Sequence, residues 1–426
     1  MKSFIALITA LITFLSATLS ANVIPKKEPK DFQPVLRFFA CSDTHIDGAE
    51  DKKLDRIRNA VDFAYGLTDG GYSKLDAVLF AGDITNSGTE EQFEAADKGI
   101  KDVVKDETEI LALVAKNHDG YAGKEKALGF VEGLTGKDSD FHIVINGFHF
   151  ICISTSEKEN VRYDLSQRAW LRKQLEEASA DDPEKPIFVA HHEHVADTVY
   201  GSKTISEGWG QVYFSDILAA YPQVIDISGH SHYPVNDPRS IWQGTFTAIG
   251  TGSMHYLEFT VGTDRTVHPE GCYDCPQAWI IEVDKDNNVR LRGFDVNNRA
   301  WLCDYLLTDI TDIASHPFTV KNQKALSSEP EFSKSASVKV KCNDGKTTIS
   351  FPAAVSTDGM PVFLYRIKLT DESGKTVYSG YKINNYWSVN EDKTVEFTVD
   401  KEAFNAYVCA ENAYGMQSGK ISGSIN

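Results

Sequence analysis

The side chains best suited to bind metal ions stand just after apolar runs of the sequence. They are Asp43, Asp83, Asn117, His191 and His230, which follow five successive runs of this kind. Short apolar runs are typical of buried strands, so each polar residue is predicted at the carboxyl end of a strand. Ligands of open α/β sheets bind at that edge. Carboxylate, amide and imidazole groups are also common metal ligands, and the sequence therefore predicts a metal site there.

Residues next to these positions extend the pattern. In Asp43-Thr44-His45, an extended backbone would direct the first and third side chains to the same side. Asp83 offers two oxygens that could bridge two ions, and Gly82 before it permits a tight turn or a close approach of the chain. The stretch Gly229-His230-Ser231-His232 repeats the alternation and predicts two imidazoles side by side.

A third stretch, Asn117-His118-Asp119, supplies an amide oxygen, an imidazole and a carboxylate able to orient that imidazole. Each residue taken alone has a simpler interpretation. An aspartate after a strand is often a helix N-cap, and histidines such as His191, His192 and His194 could be solvated surface residues. The joint occurrence of all these motifs in order favours the metal site.

The order D-x-H, G-D, N-H-D, H, G-H-x-H resembles the calcineurin-like metallophosphoesterases, across roughly residues 35–300. The resemblance implies an α/β fold with four layers, an α/β/β/α sandwich. It also implies two metal ions, and nitrogen and oxygen ligands suit Fe, Mn or Zn alike. One would be held by Asp43, His45, Asp83 and His232, and the other by Asp83, Asn117, His191 and His230. His118 would be the catalytic imidazole, with Asp119 behind it.

The chain departs from the family pattern at two places. Lys116 stands where the family usually has glycine before the Asn-His-Asp motif. If that position needs a positive φ, lysine is strained there; the side chain could instead reach the substrate phosphate, or be a tolerated surface residue. His191 is followed by His192-Glu193-His194 rather than by a residue and proline. His191 is the predicted ligand, and His192 is the alternative.

The implied activity is hydrolysis of phosphate mono- or diesters by direct attack of metal-bound hydroxide, with His118 serving the departing oxygen. Purple acid phosphatases carry a tyrosine three residues after the bridging aspartate, and Asn86 stands at that position here. Residues 82–89 and 167–175 resemble instead the class III cyclic-nucleotide phosphodiesterase branch. The alternative hypothesis is an extracellular binding or adhesion module that has lost catalysis on the same fold.

Alternating strand and helix patterns begin at residue 35. Strands are predicted at 35–41, 75–81, 110–115 and 187–190, a helix at 90–105, and a hairpin that turns at Asn146-Gly147. This order favours a largely parallel sheet covered by helices, with residues 35–315 as the catalytic domain. Residues 316–337, rich in Ser, Lys, Pro and Glu, are predicted to be a linker.

The two ends of the chain differ from this centre. Residues 1–21, with Lys2, an apolar run and small residues up to Ala21, are typical of a secretory signal peptide. Residues 22–34 are a predicted tether. Residues 338–426 alternate apolar and polar, which predicts a small all-β sandwich that resembles fibronectin type III domains. This last domain is a candidate for binding a surface or another protein.

The net charge of −18 excludes the basic surface that nucleic acids need, so the expected partner is a small phosphorylated substrate. No segment after residue 21 is apolar enough for stable membrane insertion, and the protein is predicted to be secreted, extracellular or periplasmic. Exported chains can form disulfides. Cys272 and Cys275 are predicted to form a local bridge, and Cys342 and Cys409 could form a bridge within the C-terminal domain.

Overall fold

The computed structural model describes residues 32–156, 158, 162–389 and 392–425. The predicted signal peptide and nearly all of the predicted tether lie outside the described residues. The chain forms two compact units, one over Lys26–Val320 and one that includes Lys321–Asn426. The boundary falls within residues 316–337, the stretch predicted as a linker, where the structure also has a short helix, Val320–Leu326.

The strands of the first unit are β1 Pro34–Cys41, β2 Ala77–Ala81, β3 Glu109–Leu113, β4 Asp140–Ile145, β5 Phe148–Ile153, β6 Ile187–Val195, β7 Gly210–Gln211, β8 Val224–Gly229, β9 Ile241–Gln243, β10 Thr247–Gly250, β11 Phe259–Val261, β12 Asp264–Val267, β13 Gln277–Asp284, β14 Val289–Asp295 and β15 Ala300–Leu307. The helices are α1 Lys52–Tyr65, α2 Glu90–Lys101, α3 Lys124–Thr135, α4 Leu165–Asp181 and α5 Ser215–Leu218.

Most of these strands form two sheets. The first has the order β15-β14-β13-β1-β2-β3, and the second β4-β5-β6-β8-β10-β9, with β7 paired to β6. Strands β1, β2 and β3 run parallel, as do β5, β6, β8 and β10. Parallel strands end at one edge of a sheet, so the residues after β1, β2 and β3 share an edge, as do those after β6 and β8.

Alternate residues of β1 belong to different layers. Phe38 packs edge-on against Phe150 and Phe188 of the second sheet, with ring centroids 5.1 and 4.9 Å apart. Phe39 points the other way, into a cluster with α1, α2 and α3. A matching cluster joins the outer face of the second sheet to α4 and α5. The predicted four-layer α/β/β/α arrangement is confirmed. Each buried phenylalanine contributes about 1.5–3 kcal/mol to it.

Local signals of the sequence account for several element ends. The β4–β5 hairpin turns at Asn146 and Gly147, whose φ values of 52° and 81° are those of a two-residue I′ turn. The hydroxyl of Thr89 caps α2 by accepting a hydrogen bond from the Gln92 amide. Helix α2 ends at Lys101, four residues before its predicted end. Strand β6 runs to Val195, five residues beyond the end predicted for that strand.

The second unit contains β16 Lys339–Asn343, β17 Lys346–Pro352, β18 Val362–Thr370, β19 Thr376–Ile383, β20 Thr394–Val399, β21 Asn405–Asn412 and β22 Ile421–Ser424. They form two antiparallel sheets, β16-β17-β20 and β19-β18-β21-β22. Buried side chains of both sheets, among them Phe351, Tyr365 and Val408, belong to one apolar cluster. The predicted C-terminal all-β region is confirmed.

Two further expectations concern cysteines and membranes. In the described part of the chain, the thiols of Cys272, Cys342 and Cys409 are free, so neither suggested bridge is present. Cys41 and Cys152 are buried in the cores of the first unit. None of the helices among the described residues has the length and hydrophobicity that a bilayer crossing requires.

Candidate metal centre

The carboxyl edges of the two sheets bring together side chains from distant parts of the first unit. Asp43, Asp83 and Asn117 follow β1, β2 and β3, and His230 follows β8. Ligand atoms lie within 4.8 Å of one another in three groups: Asp43, His45 and His232; His45, Asp83 and His118; and Asp83, His192 and His230. The edge predicted from the sequence is therefore where carboxylates and imidazoles converge.

The first group surrounds one carboxylate oxygen. Asp43 Oδ1 lies 3.0 Å from His232 Nε2 and 3.8 Å from His45 Nε2. The two imidazole nitrogens are 3.3 Å apart. All three residues are buried. Burial opposes ionisation of Asp43, but the neighbouring His232 imidazole outweighs it and holds the pKa of Asp43 well below its usual value. The group has the donors and the spacing of a cation site.

The third group surrounds Asp83. Its Oδ2 lies 3.1 Å from His192 Nε2 and accepts a hydrogen bond of 2.8 Å from Asn117 Nδ2. Asn117 Nδ2 is also 3.5 Å from His230 Nδ1. A half-turn of the Asn117 amide exchanges its nitrogen for Oδ1, which can bind a cation. This side chain therefore lies where its amide oxygen can join two imidazoles and a carboxylate.

Asp83 also provides the clearest test of whether cations fit the cluster. Its Oδ1 is buried and receives no hydrogen bond from the described residues. Burying a carboxylate oxygen is costly unless a partner compensates its charge. Asp83 belongs both to the group with His45 and to the group with His230, so cations on its two sides would supply that compensation. The donor set fits metal ions.

The donors reach these positions through an unusual backbone. Six residues of the cluster have a left-handed φ: Asp43 (54°), His45 (48°), Asp83 (49°), His118 (38°), His230 (74°) and His232 (58°). The prediction that Asp43 and His45, or His230 and His232, converge through extended alternation is wrong, because left-handed turns aim them. Backbone hydrogen bonds from Asp43 to Gly82 and from His45 to Asp83, of 3.0 and 3.1 Å, join the two loops that carry the aspartates.

Two glycines permit this close packing. Gly82 has a φ of 88°, and a Cβ there would lie 2.6 Å from His192 Nδ1. A Cβ on Gly229 would lie 2.7 Å from Asp43 Oδ2. Side chains at these two positions would displace a ligand, so the expectation that Gly82 serves a close approach agrees with the structure.

The structure does not bring His191 into the cluster. In β6, Ile187 and Val189 face the helices, and His191 follows them, with its Nε2 2.6 Å from Asp226 Oδ1 and its ring against Phe214. His192 faces the other sheet and contacts Asp83. The prediction that His191 rather than His192 is the ligand is therefore wrong. Strand β6 continues past its predicted end, and its side chains still alternate between the two faces there, so His192 is the one that faces the cluster.

His118 and Asp119 are not paired in the way the motif suggests. Since a carbonyl can only accept, His118 donates through Nδ1 to the Asn86 carbonyl, at 2.8 Å. Asp119 instead accepts hydrogen bonds from the Thr85 amide and hydroxyl, at 2.8 and 2.9 Å, and from the Ala115 amide. Burial and the charge of Asp83 raise the pKa of Asp119 to about 7. Asp119 therefore connects the loops that carry Thr85 and Ala115, and the Asn86 carbonyl orients the His118 imidazole.

A cleft opens beside the third group. Its lining consists of Lys116, Asn117, Tyr121, Arg162, Glu193 and His230. The backbone of Lys116 is not left-handed, so the strain considered for a lysine at this position is absent. Two side-chain cations therefore stand at the mouth of the predicted metal site.

Aromatic rings around the cluster were not predicted from the sequence. Tyr121, Trp209 and Tyr256 lie with ring centroids 5.2, 5.0 and 4.3 Å from His118, His230 and His232, respectively. His255 lies 5.2 Å from His45. These residues come from loops without periodic patterns. No spacing in the sequence indicates these residues. The sequence also gives no sign that the backbone carbonyl of Asn86 binds His118.

Comparisons with known proteins agree with this geometry. The calcineurin-like phosphoesterase family model matches residues 36–234, a range that includes every residue of the three groups. No curated protein sequence matches the chain. Similar solved structures include a purple acid phosphatase from yellow lupin (Lupinus luteus) seeds, with 11% identity, 67% of this chain, 56% of that chain and a TM-score of 0.45.

An archaeal phosphodiesterase has 13% identity, with 64% of this chain and 100% of that chain covered and a TM-score of 0.27. A hypothetical protein from Pyrococcus horikoshii has 10% identity, with 62% and 92% covered and a TM-score of 0.34. With identities and TM-scores this low, these structures add nothing to the assignment. The family match and the converging donors together carry the assignment: residues 36–234 of this chain form a calcineurin-like phosphoesterase domain.

Proposed function

We propose that this protein hydrolyses phosphate mono- or diesters with two metal ions. The observation that carries the proposal is the buried carboxylate of Asp83, shared by donor groups on its two sides. One ion would be held by Asp43, His45, Asp83 and His232, and the other by Asp83, Asn117, His192 and His230. His192 thus takes the position that the sequence assigned to His191.

Nitrogen and oxygen donors of this kind suit Fe, Mn or Zn. Two bound cations lower the pKa of water and neutralise the oxygens of a phosphoryl group, which otherwise repel a nucleophile. The residues of the chain keep the donors in place. The hydrogen-bonded loops after β1 and β2 and the left-handed turns position the aspartates and histidines through contacts within the chain itself.

His118 is suited to serve the leaving group. Its Nδ1–H is engaged by the Asn86 carbonyl, so Nε2 is the nitrogen that exchanges a proton on the side of the cluster. The ring lies 4.2 Å from that of His45, between centroids, beside the first ion site and half-buried. A positioned imidazole that protonates the departing oxygen contributes about 10²–10⁴-fold to a rate.

Metal analysis combined with a panel of chromogenic mono-, di- and cyclic phosphate esters tests the proposal. The full-length protein, loaded with Mn, Fe or Zn, should bind two ions per chain and hydrolyse at least one ester. Asp83→Asn should lose both, since both ions depend on that carboxylate. Asp226→Asn is a matched control, because Asp226 is equally buried but contacts His191. A folded protein that neither binds metal nor hydrolyses esters would favour the adhesion module.

Location and the role of the second unit are also proposals. The signal-peptide pattern of residues 1–21 supports export of the protein. Sheets of three and four antiparallel strands, with β18 and β21 central in the larger one, support a fibronectin type III-like domain. Its proposed role is to bind a surface or another protein. The class III cyclic-nucleotide phosphodiesterase branch stays a prediction from the resemblance.

A further inference from the structure

The cleft beside Asn117 and His230 contains two positively charged side chains that are not proposed metal ligands. Lys116 and Arg162 line it, together with Tyr121 and the buried carboxylate of Glu193. A substrate phosphoryl group bound between the ions would lie within reach of this cleft, since Asn117 and His230 are both cleft residues and donors of the second ion.

Arg162 is held in place from one side. Its Nε lies 3.5 Å from Glu193 Oε1, and Glu193 Oε2 accepts a hydrogen bond of 2.5 Å from the Tyr163 hydroxyl. The Glu193 side chain is 2% exposed, whereas that of Arg162 is 40% exposed. The guanidinium is therefore anchored by a buried carboxylate and retains terminal N–H groups with no partner among the described residues.

Lys116 differs in being uncompensated. It precedes Asn117 directly and is half-buried. Among the described residues its ammonium has no ion pair. An ammonium group without a carboxylate partner keeps its full charge for an anion in the cleft. The glycine usual at this position in the resembling family would supply no such charge.

We infer that Lys116 and Arg162 recognise the dianionic phosphate of a monoester and make this protein a phosphomonoesterase rather than a diesterase. This inference rests on the proposed function. Above a pH of about 6, a monoester carries roughly two negative charges and a diester only one. The additional charge interacts with the two cations, and Lys116 contributes more of the preference because Glu193 compensates part of the charge of Arg162.

Two phosphate ligands of similar shape but different charge test whether the cleft prefers a dianion to a monoanion. The metal-loaded full-length protein is titrated by calorimetry with inorganic phosphate and with dimethyl phosphate, at a pH about two units above the second pKa of ~6. Turnover of p-nitrophenyl phosphate and of bis(p-nitrophenyl) phosphate is measured in parallel. Wild type should bind phosphate more tightly and cleave the monoester with the higher kcat/KM.

Lys116→Met should weaken the binding of inorganic phosphate about tenfold, which is the scale of one charge-assisted contact. It should weaken the binding of dimethyl phosphate by less than about threefold. Arg162→Gln should have a smaller effect in the same direction. Lys116→Arg, which keeps the charge, should retain the preference. Lys126→Met removes an exposed lysine of α3 outside the cleft and should change neither affinity.

Equal weakening of both ligands by Lys116→Met, no weakening of either, or a wild type that prefers the diester would each overturn the inference while metal binding and hydrolysis still support the proposed function. Failure of the proposed function has a different signature, since wild type then binds no metal and cleaves neither ester. Metal content and thermal midpoint, measured for every variant, exclude loss of the site or of folding as the cause.

Discussion

His191 and His192 are consecutive residues of β6, yet their imidazoles contact different layers of the domain. His191 Nε2 lies 2.6 Å from Asp226 Oδ1 on the helix side, and His192 Nε2 lies 3.1 Å from Asp83 Oδ2 between the sheets. The register of β6 against β8 shifts between Ala190 and Glu193, where both histidines lie. One neighbour therefore stabilises the core, and the other belongs to the candidate metal centre.

This relationship predicts opposite effects of two alanine substitutions. His192→Ala should remove a donor, so the metal-loaded state and ester hydrolysis should both be lost. His191→Ala should leave the donors in place but remove a fully buried side chain from the core, which lowers the free energy of unfolding by about 2–5 kcal/mol. Metal analysis and denaturant unfolding of both variants measure this. Loss of metal from folded His191→Ala protein would restore the original sequence-based assignment.

His118→Ala should lower kcat about 10²–10⁴-fold without changing metal content, because the imidazole serves the leaving group and is not a proposed ligand. The effect should be smaller for an ester with a good leaving group, such as p-nitrophenol, than for an alkyl ester, which needs more help from a proton. Steady-state kinetics on both esters, with metal analysis of the same samples, make this measurable. A variant that loses metal would identify His118 as a ligand.

Asp119→Ala should act mainly on stability. It removes the acceptor for the Thr85 and Ala115 amides, and unsatisfied buried donors cost about 1–3 kcal/mol. If Asp119 oriented His118, as the motif suggests, the variant would instead show the turnover defect of His118→Ala at full stability. Denaturant titration and turnover per metal-loaded molecule distinguish the two roles.

Removal of metal by a chelator should lower the thermal midpoint and leave the protein folded. Ions that bind only the native state stabilise it by about 4 kcal/mol at a thousandfold excess over Kd, while the two apolar clusters of the first unit contain none of the proposed donors. Scanning calorimetry with and without added Mn, Fe or Zn measures the shift. Asp83→Asn is the control and should show none; an unchanged wild-type midpoint would contradict two-ion binding.

The sequence predicted a helix-covered, largely parallel sheet and the edge of the site because both depend on strong periodic signals, whereas the four layers were implied by the family resemblance. Phe38 and Phe39 alternate between layers as a strand in a sandwich requires, and Asp43, Asp83 and His230 do follow parallel strands. The choice of edge then follows from a general rule of α/β topology, whereas the order of the strands was not predicted.

Features that depend on a single backbone angle or atom were not predicted. Whether His191 or His192 faces the second sheet depends on where β6 ends, and the predicted end was five residues too early. The left-handed φ of 38° at His118 directs its ring to the Asn86 carbonyl and away from its neighbour Asp119. A backbone carbonyl has no signature in the side-chain sequence, so Asn86 could not be identified.

The left-handed angles of Asp43, Asp83 and the cluster histidines also carry an energetic cost. Glycine adopts such angles freely, whereas most other residues lose about 1 kcal/mol or more at each position, with aspartate tolerated more often than most. This chain carries aspartate or histidine at every one of them, so the conformational cost falls on the same residues whose side chains form the candidate metal centre.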